Sequence, residues 1–176
     1  MSLQTFVMLQ KVIAFAAIAL LAAAAYCDIK TFRIPNALVG TMAALGIVRL
    51  ILLHDPLAAV YAIGFAILIF LVGLVLFARK IVGGGDVKLL AAAILLIRYR
   101  DLYEFFVLMS VAGVLLSIAI LIHNHRPLVS EPRLPVPKTR LPVPYGAAIA
   151  TAGIVTLLLQ PLLYRYVVPF APTFLW

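Results

Sequence analysis

RKIVGGGDVKLLAAAILLI, residues 79–97, sets three glycines and an aspartate ahead of a short apolar run, 87–97. At 1.5 Å per residue a helix over that run extends about 16 Å, roughly half of a ~30 Å hydrocarbon core. Either it is a short membrane helix that lets polar loops dip inward, or it does not cross at all. The choice decides which loops share a side, and so which carboxylates can meet Asp86.

Around this stretch the chain is built for lipid. Of its 176 residues, 66% are hydrophobic and 11% charged, whereas a soluble domain is nearer half apolar and a quarter charged. The other apolar runs fall at 6–26, 36–53, 57–78, 102–122 and 144–163. They are continuous rather than alternating, so helices and not barrel strands are expected. The expectation is an all-α integral membrane protein forming a single domain over 1–176, with six transmembrane helices. Lys11 and the run after it resemble a signal-peptide core. Tyr26 directly before Cys27 does not suit a lipoprotein-type cleavage site, so the segment reads as a retained first helix. Cys27 is the sole cysteine, which excludes an intrachain disulfide and a cysteine zinc cluster.

The net charge of +8 would suggest nucleic acid in a soluble protein. Here the bases sit in short loops, the pattern that sets membrane orientation, and no nucleic-acid partner is implied. With six crossings, one side holds Lys30, Arg33, Arg79, Lys80, Lys88, Arg126, Arg133, Lys138 and Arg140, nine in all; the other holds Lys11, Arg49, Arg98, Arg100 and Arg165, five in all. If 87–97 did not cross, the split would be eight to six. The positive-inside rule therefore favours six crossings in the plasma (inner) membrane, with both termini outside the cytoplasm. Five prolines in the cytoplasmic loop 123–143 favour extended backbone, as a spacer or as a docking surface. The aromatic tail 163–176 reads as a headgroup anchor, so membrane lipid is one partner.

This topology sorts the acids. Asp55, Asp101 and Glu104 face the non-cytoplasmic side, and Glu131 lies in the Pro-rich loop. Asp28 ends the first helix and Asp86 opens the fourth, both at the cytoplasmic boundary. Ionisable groups at such depth face a polar cavity or one another. Two carboxyls within hydrogen-bond reach share a proton and titrate as a unit. One can then activate a water while the other donates to a carbonyl oxygen. Gly83, Gly84 and Gly85 let backbone pass close to an extended peptide. They equally suit a plain connector whose aspartate caps the next helix. The order needed for a phosphate loop is missing.

Asp86 in "GGGD" resembles the GxGD signature of membrane aspartic peptidases, with Gly83 and Gly85 as its glycines. Asp28 in "DIKTFRIPN", six residues ahead of Ile34-Pro35-Asn36, resembles the other catalytic segment of the type IV prepilin peptidase family. "VPYGAA", 143–148, resembles the opening of that family's last helix. The resemblance implies a catalytic pair, Asp28 and Asp86, with no metal and no cofactor, acting on prepilins or pseudopilins that carry a basic leader. It implies that Gly83, Gly84, Gly85, Lys30, Lys88, Pro144, Tyr145 and Gly146 shape the loops or meet substrate. Pro35 and Asn36 read as structural: Pro favours a first helical turn and Asn a cap. The presenilin-like branch is not favoured, since its Pro-Ala-Leu motif is absent. Carboxylates in broken helices also serve transporters and channels, and a structural subunit of a secretion machine is a third reading.

Larger family members insert a domain with paired CxxC motifs between the first two helices and also methylate the new N-terminus. Here seven residues, Lys30 to Asn36, stand in that place. The chain thus resembles the short peptidases of tight-adherence (Flp) pilus systems or the archaeal preflagellin peptidases. Peptidase activity without methyltransferase activity is expected. Incubating the purified chain with substrate and labelled S-adenosylmethionine should leave the new N-terminus unlabelled; methylation would refute the expectation.

Overall fold

The computed structural model describes residues 3–53, 55–124 and 144–167. Six α-helices follow one another: α1 Leu3–Thr31, α2 Asn36–Leu53, α3 Pro56–Ala78, α4 Gly84–Leu96, α5 Leu102–Asn124 and α6 Tyr145–Val167, with a 3₁₀ turn Tyr99–Asp101 before α5. No strand occurs among the described residues. Four helical stretches, Gln4–Thr31, Asn36–Leu53, Pro56–Ala78 and Tyr99–Ile122, are long and apolar enough to cross a membrane, and the chain is a multi-pass membrane protein. Most of the Pro-rich loop, and the tail beyond Val167, lie outside the described residues.

Local chemistry sets the ends of these helices. Asp55 accepts the Ala58 N–H at 3.1 Å and Pro56 takes the first turn, so α3 starts with a side-chain cap and a residue that has no N–H to satisfy. At its other end Lys80 N–H reaches the Phe77 carbonyl and Ile81 N–H the Leu76 carbonyl, at 2.8 and 3.0 Å. That pair of bonds is a Schellman motif, in which the residue past the cap is left-handed and usually glycine. Here it is Lys80, with φ 59°. Phe32, φ 50°, closes α1 with the simpler left-handed cap, its N–H donating to the Asp28 carbonyl at 2.9 Å. Each left-handed side chain costs about 1–2 kcal/mol, and each lies at a turn beside an aspartate-bearing helix.

The expected run 87–97 is α4, and it begins earlier. Gly84 and Gly85 are helical, leaving Gly83 as its N-cap. At about 20 Å it remains shorter than the hydrocarbon core. It is the central helix, packed against α2, α3 and α6, with Leu89, Ala92, Ala93, Ile94 and Leu96 buried. By contrast α3 and α5 turn large apolar side chains outward along their length. The pairings give the directions. α4 runs parallel to α2, meeting it at Asn36–Lys88 and Gly46–Leu95, and antiparallel to α3, meeting it at Gly84–Phe77 and Val87–Gly73. α1 and α6 run antiparallel, joined at Asp28–Ala147 and Leu21–Gly153.

Three of those contacts need glycine. A Cβ on Gly46 would stand 2.5 Å from the Leu95 Cβ, one on Gly73 2.5 Å from Val87, and one on Gly153 3.0 Å from Leu21. Lipid tails are as apolar as leucine, so helices in a bilayer gain by close backbone approach across small residues. Buried Arg49 completes the α2–α4 contact: its Nη1 donates to the Leu95 carbonyl at 3.3 Å. A cation thus sits on the C-terminal end of α4, where carbonyls lack intrahelical partners. Gly46→Ala is expected to destabilise the fold by about 1–3 kcal/mol through overpacking. Gly64→Ala, whose Cβ meets nothing within 4 Å, should be neutral or stabilising by up to about 1 kcal/mol; thermal unfolding in detergent compares the two.

Candidate active site

The start of α6 organises the site. Pro144 precedes the helix and offers no side-chain cap, so the first N–H groups of α6 need an outside acceptor. Asp28, from the end of α1, supplies it: Oδ2 accepts the Ala147 N–H at 3.0 Å, and the Gly146 N–H acts on the same carboxylate. Asp28 is buried, 5% exposed. Its carboxylate therefore has a fixed position, held by two donors and by the positive end of the α6 dipole.

Asp86 reaches the same place from α4. It is the third residue of that helix, and its Oδ2 lies beside Gly83, the N-cap, 2.9 Å from where a Cβ on that glycine would stand. The Gly146 N–H also acts on Asp86, and the two carboxylates are near enough for the charge on Asp28 to act on Asp86. Asp28 of α1 and Asp86 of α4 thus lie side by side at the head of α6.

The glycines act by leaving space. Among the described residues no glycine has positive φ. A Cβ on Gly146 would stand 2.8 Å from Asp28 Oδ2 and 2.7 Å from Ile34 Cδ1, and one on Gly83 2.9 Å from Asp86 Oδ2. A Cβ on Gly84 would stand 3.1 Å from the Phe77 ring, and one on Gly85 3.5 Å from Ile34, an ordinary contact. Ile34 is thus wedged between Gly85 and Gly146 and holds α4 and α6 at a set spacing beneath the carboxylates. The sequence marks Ile34 only as part of the Ile-Pro-Asn motif that starts α2, and Ala147 only as the alanine after "PYG"; neither side chain bears chemistry.

Other expected residues fall nearby without joining the pair. Lys88 donates to Asn36 Oδ1 at 3.1 Å and ties α4 to the start of α2. Pro35, not Asn36, occupies the cap of α2, accepting from Leu38 and Val39, while Asn36 takes the first turn and turns its amide to Lys88. That reverses the roles expected of the two. Lys30 turns to Tyr26 on its own helix, with Nζ 3.1 Å from the hydroxyl and 5.4 Å from the ring centroid. Tyr145 is half-exposed and, with Asp86, lines one end of an apolar groove. Asp55 and Asp101 lie at the opposite end of the bundle, at the α2–α3 and α4–α5 connections.

A multi-pass helical protein whose two buried-end carboxylates converge on the head of a third helix has the make-up of a membrane protein with a paired-aspartate site. A sequence profile described as the type IV leader peptidase family matches residues 15–118, more than half of the chain, and the protein belongs to that family. It is accordingly a type IV leader peptidase-like protease. The match takes in Asp28, Ile34-Pro35-Asn36 and Asp86, and ends before α6. No curated protein and no solved structure matches the chain.

Gly83→Ala separates position from stability. Its Cβ meets only the end of the Asp86 side chain, so the cost in stability should be about 1 kcal/mol or less. Displacement of Asp86 should lower kcat/KM on a prepilin-type substrate about 10- to 100-fold. Gly146→Ala should lose both activity and melting temperature, because Ile34 must also move. Wild-type turnover by Gly83→Ala would show that Asp86 does not depend on the gap.

Proposed function

We propose that the protein is a membrane aspartic endopeptidase that removes the basic leader of type IV prepilin-like substrates, prepilins or pseudopilins, at the cytoplasmic face of the plasma membrane. Asp28 and Asp86 form the catalytic pair, and the chain has no methyltransferase activity. The observation that carries this reading is that Asp28, which accepts the Ala147 N–H at the head of α6, and Asp86, at the start of α4, lie near enough for the charge on one to act on the other. An orientation with both termini outside the cytoplasm is supported by the nine Lys and Arg on the aspartate side against five on the other.

The chemistry needs one proton shared by the pair. The ionised carboxylate takes a proton from a water as the water oxygen bonds to the scissile carbonyl carbon. The protonated carboxyl gives its proton to the carbonyl oxygen, forming a neutral tetrahedral diol. On collapse the C–N bond breaks, and the amine nitrogen takes the proton gained by the first carboxylate. The second carboxyl recovers its proton from the diol. The products are the leader, ending in a new carboxyl group, and the mature chain with a free amine, and the pair returns to its starting charge. What the protein contributes is position: the Ala147 N–H holds Asp28, and the start of α4 brings Asp86 beside it.

Co-expression with a prepilin, followed by gel shift and mass spectrometry of the leader, tests this. Wild type should cut, while Asp28→Asn and Asp86→Asn, still folded in the membrane, should each lose at least about 10²-fold in rate. Wild-type cutting by either variant would sink the pair.

A further inference from the structure

α3 and α5 flank the front of α4 without packing along each other: α3 rests on α4, and α5 on α6. Between them lies a groove of about 700 Å³, with Asp86 and Tyr145 among its lining. Ile69, Val72 and Leu76 of α3 form one wall, and Ser110, Gly113 and Ser117 of α5 the other. The serine hydroxyls do not make the second wall polar. Ser110 donates to the Phe106 carbonyl at 2.9 Å and Ser117 to the Gly113 carbonyl at 2.8 Å, each within its own helix. Apart from Asp86 and Tyr145, the groove is apolar, with its small residues, Ser110, Gly113 and Ser117, on the α5 wall.

Gly113 shows what the groove lacks. Each glycine at a helix contact inside the bundle, Gly46, Gly73 and Gly153, has a neighbouring side chain where its own Cβ would be, whereas Gly113 has nothing within 4 Å. Gly40 and Gly64 are open too, but they lie exposed on outward faces and line no groove. The α5 wall thus has the small-residue surface of a helix–helix contact with the second helix missing. Its lining runs from Met109 to Ile118, about 14 Å or nearly three helical turns.

We propose that the α3–α5 groove seats the apolar helix that follows the scissile bond in the substrate, with its bulky aliphatic side chains against Ser110, Gly113 and Ser117, so that the bond itself emerges at Asp86. The occupant is set by continuity: whatever lies along the groove runs directly to that carboxylate, and a peptide cut there must have one side of its bond inside the groove. This inference rests on the peptidase reading. It makes Gly113 a specificity-determining residue that touches no catalytic group.

The full-length enzyme in proteoliposomes, given a prepilin-type chain with a basic leader and an apolar segment of about 20 residues, tests it. Gly113→Phe puts a ring into the groove from a position whose Cβ meets nothing within 4 Å. It should lower kcat/KM about tenfold or more, mainly through KM, while Gly64→Phe stays within about twofold of wild type. A photo-crosslinker at Ser117, in an Asp86→Asn background that retains substrate, should capture the apolar segment; one at Gly64 should not. Wild-type kcat/KM in Gly113→Phe, or a Ser117 crosslink to lipid alone, overturns the docking and leaves the peptidase reading standing. Failure of the wild-type enzyme to cut this substrate sinks both.

Discussion

The structure depends on one unmet requirement at the head of α6. A helix that begins after proline cannot cap itself with that residue, and its first N–H groups face a region where water is scarce. Asp28 meets the need from α1, at 3.0 Å from the Ala147 nitrogen, and Asp86 approaches the neighbouring Gly146 N–H from α4. Burying a carboxylate such as Asp28 is costly unless donors compensate it, and a second carboxylate beside it adds repulsion. The N-terminus of α6 offers donors and a positive dipole end together, which makes the juxtaposition tolerable. Capping and the gathering of two acids are here the same contact.

The rest of the bundle keeps that contact in register. α4 is held at both ends: Asp86 and Gly83 close its start, and Arg49 of α2 covers the Leu95 carbonyl at its finish. Lys88 and Asn36 add a second tie to α2 near the site. Gly46 and Gly73 bring the neighbouring backbones close to α4, so its position is set by contacts that tolerate little movement. The left-handed Phe32 and Lys80 are the local cost of turning the chain sharply beside each aspartate. Rigidity around α4 contrasts with the open space between α3 and α5, where the same kind of small-residue wall has no partner.

The shortness of α4 connects these features to the membrane. A helix of about 20 Å cannot carry its first residues to the bilayer surface while its other end stays level with its neighbours. In the proposed six-crossing topology Asp86 would be drawn inward, to the depth at which an apolar substrate segment would lie. A full-length helix would lift the carboxylate out to the headgroups and away from the groove.

Much of this was legible in the residues. Continuous apolar runs demand helices because lipid satisfies no backbone groups, and the loop charges grouped Asp28 with Asp86 before any coordinates. "GGGD", "DIKTFRIPN" and "VPYGAA" marked the segments that meet. Only the tertiary structure decided why they need the residues they have. The sequence presents the glycines as loop formers, yet no described glycine uses positive φ and two of the three sit inside α4; their function is to leave room for carboxylates and for the Phe77 ring. Asn36 looks like a cap and instead receives Lys88, because Pro35 already holds that position. Ile34 and Arg49 carry no chemical signature in the chain, since a wedge and a helix-end cation acquire their roles from what lies across from them. Periodicity and composition depend on near neighbours and on the solvent, so the sequence contains them; the gap beside Gly113 depends on helices brought together across the bundle, and only the folded chain has it.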